Sequence, residues 1–367
     1  MKKTLYLVAG ARPNFMKIAP IVRALDARRD AFDYRIVHTG QHYDREMSDV
    51  FFEELGIPKP DFHLEAGGGS HATQTAKIMV AFEEICQRQR PDCVLVVGDV
   101  NSTLACSIVA KKLHIPVAHV EAGLRSGDLR MPEEINRLVT DSISDWFFVT
   151  EPAGQANLLR EGKREDQVFF VGHVMVDNLF YQRDRLEHAD RGGFESEALK
   201  KRLGRYGVVT MHRPSNVDHR ETLAGIAGAL REIAAKLPLV FPVHPRTRGN
   251  LEKFRLDLGA SVILTKPLSY MDFLNLWKDA SLILTDSGGL QEETTALGIP
   301  CVTLRENTER PVTVDEGTNT IVGVDPARIV AAADAVLAGR GKTGRRPQFW
   351  DGRAAERIVE TLAQQLR

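Results

Sequence analysis

Three acidic residues stand where apolar runs of the chain give out. Asp99 lies in Gly98-Asp99-Val100-Asn101-Ser102, just past an apolar run at 93–97. Glu121 closes His119-Val120-Glu121, at the end of a run at 116–120. Glu133 opens Pro132-Glu133-Glu134-Ile135-Asn136-Arg137, the start of an amphipathic segment. An acid at the end of a buried strand is partly desolvated, which raises a carboxyl toward the range where it can move protons. Three such groups at successive strand ends read as an acid–base set. Each also has a purely structural reading. Asp99 could cap a helix beginning near Ser102. Glu133 and Arg137, four apart on the face opposite the apolar stripe Ile135, Leu138, Val139 and Ile143, could form a surface ion pair worth a few tenths of a kcal/mol, or that face could line a cleft.

A second group is cationic and small. The run at 206–210 leads into Met211-His212-Arg213, and the run at 282–285 into Asp286-Ser287-Gly288-Gly289-Leu290-Gln291-Glu292-Glu293. Small residues between a strand and a helix present backbone N–H groups and the positive end of the helix dipole to an anion. A plain tight turn is the competing reading. Glu293, one turn further in, is placed to accept hydrogen bonds from a ribose diol. Arg310, in Thr308-Glu309-Arg310-Pro311, adds a cation beyond the next strand. Arg12 and Lys17 follow the first apolar run, and Gln41 and His42 the second.

The elements that must carry these groups alternate. Apolar runs at 5–9, 34–37, 93–97, 116–120, 146–149 and 168–171 read as buried strands, and segments at 16–27, 46–54, 75–90, 102–113, 132–144 and 152–161 have helical period. Strands apolar on both faces belong to a parallel sheet covered on both sides. The rhythm breaks after Val171. A charged stretch at 182–201 precedes further strands at 206–210, 239–243, 262–264, 282–285, 301–304 and 320–322. The expected domains are 1–172, carrying the carboxylates, and 173–351, carrying the anion site. A last helix at 352–365 has no strand after it and could pack on either domain. In an open parallel sheet, ligands bind beyond the carboxyl ends of the strands, where the residues above collect.

With 48 Lys and Arg against 49 Asp and Glu, no net field draws the chain to nucleic acid or an anionic membrane. The basic run at 340–346 reads as a solvated loop. No apolar window reaches the roughly 18 residues of a membrane span. The four cysteines form no Cys-x-x-Cys, and their apolar settings suit a reducing compartment; a cytoplasmic protein is expected. Gly-x-Gly-x-x-Gly is missing after the first strand, where Gly10-Ala11-Arg12-Pro13 stands instead. Val336 replaces the first glycine that a phosphate loop ending at Gly341-Lys342-Thr343 would need. Neither Asp-x-Asp nor His-Glu-x-x-His occurs, and Gly40 separates His38 from His42. No cofactor or metal is therefore expected.

Together these blocks resemble the non-hydrolysing UDP-N-acetylglucosamine 2-epimerases, almost end to end. The matching blocks are Gly10-Ala11-Arg12-Pro13, Gly98-Asp99, His119-Val120-Glu121-Ala122-Gly123-Leu124-Arg125, Pro132-Glu133-Glu134-x-Asn136-Arg137, His212-Arg213, Asp286-Ser287-Gly288-Gly289-x-Gln291-Glu292-Glu293, Thr308-Glu309-Arg310-Pro311 and Gly317-Thr318. The resemblance implies an α/β chain of two doubly wound Rossmann-like domains facing a central cleft, the type B glycosyltransferase architecture. It also implies a homodimer, with the C-terminal helix (352–367) folded back on the first domain. It casts Asp99, Glu121 and Glu133 as acid–base groups and His212 as the group that steadies a departing diphosphate. Arg12, Lys17, Gln41, His42, Arg137, Arg213, Ser287, Gly288, Gly289, Glu293 and Arg310 become contacts of a UDP-sugar. Two blocks differ from many relatives: Gln41-His42 is followed by extra residues before Met47, and His212-Arg213 by Pro214-Ser215-Asn216-Val217. Two rival readings share the fold: a hydrolysing epimerase releasing N-acetylmannosamine and UDP, and a type B glycosyltransferase. A non-catalytic sensor would have no use for Asp99 and Glu121.

Overall fold

The computed structural model describes residues 2–40 and 49–367. By its internal contacts the chain divides into two units: Met1–Phe180 with Gln348–Arg367, and Tyr181–Pro347.

In the first unit the apolar runs form β1 (Lys3–Ala9), β2 (Phe32–His38), β3 (Phe62–His63), β4 (Cys93–Val97), β5 (Val117–Val120), β6 (Trp146–Val149) and β7 (Val168–Phe170). They make one parallel sheet in the order β3-β2-β1-β4-β5-β6-β7. Every residue of β4 and β5 is buried, so alternation is lost and only the apolar run marks these strands. One face packs on the helix Arg12–Asp26 through Phe15, Ile18, Val22 and Leu25. The other packs on the helices His71–Arg88 and Asn101–Lys112 through Ile78, Phe82, Ala105 and Val109.

The second unit repeats the plan with β8 (Gly207–Thr210), β9 (Leu239–Pro242), β10 (Val262–Thr265), β11 (Leu282–Thr285), β12 (Cys301–Thr303) and β13 (Asn319–Ile321). Its sheet is also parallel, in the order β10-β9-β8-β11-β12-β13. Strand order reverses between β1 and β4 in the first unit and between β8 and β11 in the second. A doubly wound sheet opens a crevice at such a point, beyond the strands' carboxyl ends.

Two features differ from the sequence reading. A two-residue edge strand, β3, joins the first sheet; it is too short to show a pattern. The charged stretch at 182–201 falls largely in the helices Val174–His188 and Glu195–Leu203, and within the stretch only Gln182, Leu186, Ser196 and Leu199 are buried, few enough for charge to hide them. The helix expected at 46–54 is described only as Asp49–Leu55.

The chain re-enters the first unit at its end. Phe349 passes so close to Gly172 (φ +90°) that a Cβ there would sit 1.9 Å from the Phe349 carbonyl oxygen, so only glycine fits. Trp350 is buried and donates its indole N–H to the Thr150 carbonyl at 3.1 Å. The last helix, Ala354–Gln365, buries Ala354, Ala355, Ile358, Val359 and Leu362 in the same core as the helix Arg12–Asp26. Asp177 accepts the backbone N–H groups of Ala354 (3.2 Å) and Ala355 (2.7 Å), satisfying two donors a helix start otherwise leaves open. Among the described residues no helix is long and apolar enough to cross a membrane.

Candidate active site

In the first unit the switch-point loops are tied together by Asn14. Its side-chain oxygen accepts Ala11 N–H at 2.9 Å, and its amide donates to the Val97 carbonyl at 3.2 Å, joining the end of β1 to the end of β4. The helix that starts here carries Arg12, exposed in its first turn, and Lys17. The Lys17 ammonium forms an ion pair with the Glu121 carboxylate, with side-chain exposures of 13% and 4%. At that depth neither charge is tolerable alone. Glu121 also holds a left-handed backbone (φ +71°), uncommon for a residue with a Cβ. The adjoining Gly98 (φ +68°) leaves room for the pair: a Cβ there would meet Lys17 Nζ at 2.8 Å.

Asp99 does not cap the following helix. The N-cap of Asn101–Lys112 is Val100, with no side-chain cap bond. Asp99 instead pairs with the Arg137 guanidinium at 2.5 Å, and Asn136 donates to the Asp99 carbonyl at 2.8 Å.

Of the two readings of this face, the surface ion pair between Glu133 and Arg137 does not form. Arg137 is buried between Asp99 and Glu134, whose carboxylate lies 2.8 Å away, while Glu133 stands exposed. The reason is that Glu134 gathers the Ser126 and Gly127 N–H groups (both 2.9 Å) besides Arg137. Burial pushes the Glu134 carboxyl up, but these donors outweigh it and hold it below the usual carboxylate range. Burial lowers Arg137, and Asp99 and Glu134 more than reverse this. The polar face of the helix Pro132–Ile143 is thus drawn inward, and its apolar stripe faces out, with Ile135 42% exposed. Glu134 was missed although the signal was present, since 134 and 137 are one turn apart.

In the second unit Asp286, fully buried after β11, organises the loop after β8. It accepts backbone N–H groups from His212 (3.0 Å) and Arg213 (2.9 Å) and the Asn216 amide at 3.2 Å. The His212 Nδ1 lies 3.0 Å from Asp286, with the side chain 52% exposed. A carboxylate there makes Nδ1 the donor and turns Nε2 outward. Residues 214–217 form a short helix, Pro214–Val217, anchored by Asn216, which also donates to the Leu304 carbonyl at 2.9 Å.

Ser287 is the N-cap of the helix Gly288–Leu297, and its hydroxyl makes no capping bond. Arg310 lies over this helix start: a Cβ on Gly288 would be 3.3 Å from its guanidinium, and its Nε pairs with Glu292 at 2.6 Å. Burial and the neighbouring Arg305 lower Arg213 below its ordinary value, the mark of crowded cations. Arg305 is itself held by Glu309 at 2.8 and 3.0 Å. Burial raises the Glu309 carboxyl, but Arg305 outweighs this and holds it at about 2. Glu293 is buried and accepts the Tyr270 hydroxyl at 3.3 Å. Burial and Glu293 push the Tyr270 phenol up, so it remains a donor. Gly289 follows Gly288 in the first turn of the same helix. Gln41 and His42 lie outside the described residues.

Two parallel doubly wound sheets, one with charge-paired carboxylates at its strand ends and the other with a cation-lined helix start, define a two-domain α/β protein equipped for an anionic, phosphate-bearing ligand. A family model described as UDP-N-acetylglucosamine 2-epimerase matches residues 23–363. A UDP-N-acetylglucosamine 2-epimerase of Methanocaldococcus jannaschii is 41% identical over 366 residues, covering 98% of each chain. A UDP-2,3-diacetamido-2,3-dideoxy-D-glucuronate 2-epimerase of Pseudomonas aeruginosa is 40% identical over 365 residues, 97% of this chain and 98% of the relative. A crystal structure of the M. jannaschii enzyme in complex with UDP-GlcNAc and UDP superposes with a TM-score of 0.85 at 40% identity, covering 98% of this chain and 99% of the other. The chain belongs to the UDP-N-acetylglucosamine 2-epimerase family.

Proposed function

We propose that this chain inverts C2 of UDP-N-acetylglucosamine, giving UDP-N-acetylmannosamine reversibly and without net hydrolysis. The observation that carries the reading is the pair of charge-compensated carboxylates, Glu121 with Lys17 and Asp99 with Arg137, at the adjoining ends of β5 and β4. The C2 proton of an N-acetylhexosamine has no adjacent carbonyl to acidify it, so simple removal and return is too slow. Expulsion of UDP supplies the driving force. One carboxylate takes the C2 proton while the C1–O bond breaks and its electron pair leaves with the diphosphate, giving a 2-acetamidoglucal and UDP. Re-addition of UDP at C1 with protonation from the opposite face completes the inversion, and no electrons are exchanged with a redox partner.

Asp99, Glu121 and Glu133 are the acid–base groups of this reading. His212, Arg213, Arg310 and the N–H groups opened by Ser287, Gly288 and Gly289 stabilise the charge that grows on the departing diphosphate. Glu293 takes the ribose, and Arg12, Lys17 and Arg137 complete the contacts. Incubation with UDP-N-acetylglucosamine in D2O, followed by proton NMR, tests it. Both epimers should appear with deuterium at C2. Accumulation of free N-acetylmannosamine and UDP would assign the chain to the hydrolysing reaction, and dependence on added NAD or a divalent metal would remove the mechanism.

A second reading keeps the reaction and changes the sugar. Identity to the relative named for a diacetamido-uronate is 40%, against 41% for the one named for UDP-N-acetylglucosamine. The same assay with both UDP-sugars decides, by the ratio of kcat/KM. We also propose that the chain works as a homodimer, supported by the outward apolar stripe of the helix Pro132–Ile143. Its four free, buried cysteines support a cytoplasmic setting.

A further inference from the structure

Inside the first unit runs a chain of charged groups that the proton transfers above do not use. His119, on β5, is fully buried between two acceptors: Nδ1 lies 2.6 Å from the Asp141 carboxylate and Nε2 lies 2.9 Å from the Gly98 carbonyl oxygen. A neutral imidazole donates from one nitrogen only. A carbonyl cannot donate at all, so Nε2 carries a proton. Burial pushes the Asp141 carboxyl up, but His119 and Arg125 outweigh it and hold it below the usual carboxylate range. The other Asp141 oxygen accepts Gly123 N–H at 3.0 Å and the Arg125 guanidinium at 2.7 Å, the surroundings of a carboxylate, so the oxygen facing Nδ1 also accepts and Nδ1 carries a proton. Arg125 is gripped in turn by Glu161 at 2.9 and 2.7 Å. With both ring nitrogens of His119 protonated, the charges of His119, Asp141, Arg125 and Glu161 cancel. With one proton fewer, the single Arg125 cation is left to balance both Asp141 and Glu161.

The Gly98 carbonyl belongs to the peptide that leads into Asp99. Asn136 holds the next carbonyl, that of Asp99, at 2.8 Å. His119, two residues before Glu121 on β5, and Asn136 therefore fix both peptides of the turn that carries Asp99.

We propose that His119 is a positioning residue: a buried imidazolium, donating from both nitrogens, that pins the Gly98 carbonyl and so aims Asp99 for proton transfer. The kinetic part of this rests on the C2-epimerisation reading. The test uses two replacements in the full chain. The amide nitrogen of glutamine reaches where Nε2 stands, and that of asparagine where Nδ1 stands. His119→Gln can keep the bond to Gly98, whereas His119→Asn keeps only the bond to Asp141. Since a misplacement of about 1 Å costs on the order of 10²-fold in rate, kcat should fall by that order in His119→Asn and remain near wild type in His119→Gln. UDP affinity by calorimetry and KM should be unchanged in both. Equal kcat losses that track equal losses of Tm would reduce His119 to a packing residue, and full turnover in His119→Asn would overturn the proposal. The 15N NMR signals of labelled wild-type protein should show protons on both ring nitrogens of His119. With the His119 ring signals assigned in the wild-type protein by through-bond correlation to its own backbone, a neutral single tautomer overturns the proposal even if neither variant folds. A wild-type protein with no epimerase activity would sink the reaction reading instead, while the NMR result still decides the state of His119.

Discussion

The two carboxylates nearest the first switch point differ in how their charge is held. Glu121 is nearly sealed from solvent with Lys17 against it, whereas Asp99 keeps 26% of its side chain exposed beside Arg137. Glu121 also sits at φ +71°, a conformation that costs a residue with a Cβ roughly 1–3 kcal/mol unless the surroundings impose it. Here they do, because its N–H is held by the Phe148 carbonyl at 3.0 Å. Strain and a desolvated charge at one residue are expenses that folding alone does not require. Asp99→Asn and Glu121→Gln keep shape and remove charge, so each should lower kcat by roughly 10²–10⁴-fold. UDP affinity, which the proposal assigns largely to the second unit, should be preserved. Because Val100 and not Asp99 is the N-cap of the helix Asn101–Lys112, Asp99→Asn has no cap to disturb, and a rate loss there reports on chemistry. Glu133 is exposed, so Glu133→Gln should leave Tm untouched, and its kcat measures whether the third carboxylate takes part. Full turnover in both Asp99→Asn and Glu121→Gln would end the carboxylate mechanism.

At the scale of elements, the strands were legible because both faces of a parallel sheet are covered, and an unbroken apolar run has few other homes. The order of strands around each switch point was not spelled out by any run; it follows from which crossovers pack. The helix Pro132–Ile143 shows a sharper limit. Its period correctly grouped Ile135, Leu138, Val139 and Ile143 on one face, but a period says which residues share a face and not which face turns inward. Arg137 settles that by pairing with Asp99, and Asp141 by pairing with Arg125 and His119, all outside the helix, while Glu134 takes the Ser126 and Gly127 N–H groups of the preceding loop. The same holds for Asp286: its place in the Ser-Gly-Gly block was legible, but its four bonds to the loop after β8 join residues about 70 positions apart. The outward stripe carries its own prediction. If it is the face on which two copies meet, Ile135→Glu should shift the protein to monomer in size-exclusion chromatography with light scattering, with the far-ultraviolet circular dichroism unchanged. A wild-type monomer, or a variant that stays dimeric, removes this face from the proposed dimer.

For the whole molecule, the path of the chain matters more than its length. The second unit is continuous from Tyr181 to Pro347, but the first is built from both ends of the sequence and is completed only when Gln348–Arg367 arrives. That returning segment buries Trp350, Ala354, Ala355, Ile358, Val359 and Leu362. Each large apolar side chain among them contributes roughly 1.5–3 kcal/mol on burial. Their sum is comparable with the whole stability of an ordinary domain, about 5–15 kcal/mol. A chain ending at Pro347 should therefore lose the first unit and keep the second. Limited proteolysis should digest residues before Tyr181 and leave a resistant fragment spanning 181–347. Trp277, fully buried in the second unit, should keep its blue-shifted emission. If the diphosphate site belongs to the second unit, this truncated chain should bind UDP by calorimetry with an affinity close to that of the full chain, yet exchange no deuterium into C2. Survival of epimerisation without residues 348–367 would mean that the first unit does not need the returning helix. Loss of UDP binding together with the first unit would mean that the nucleotide depends on both.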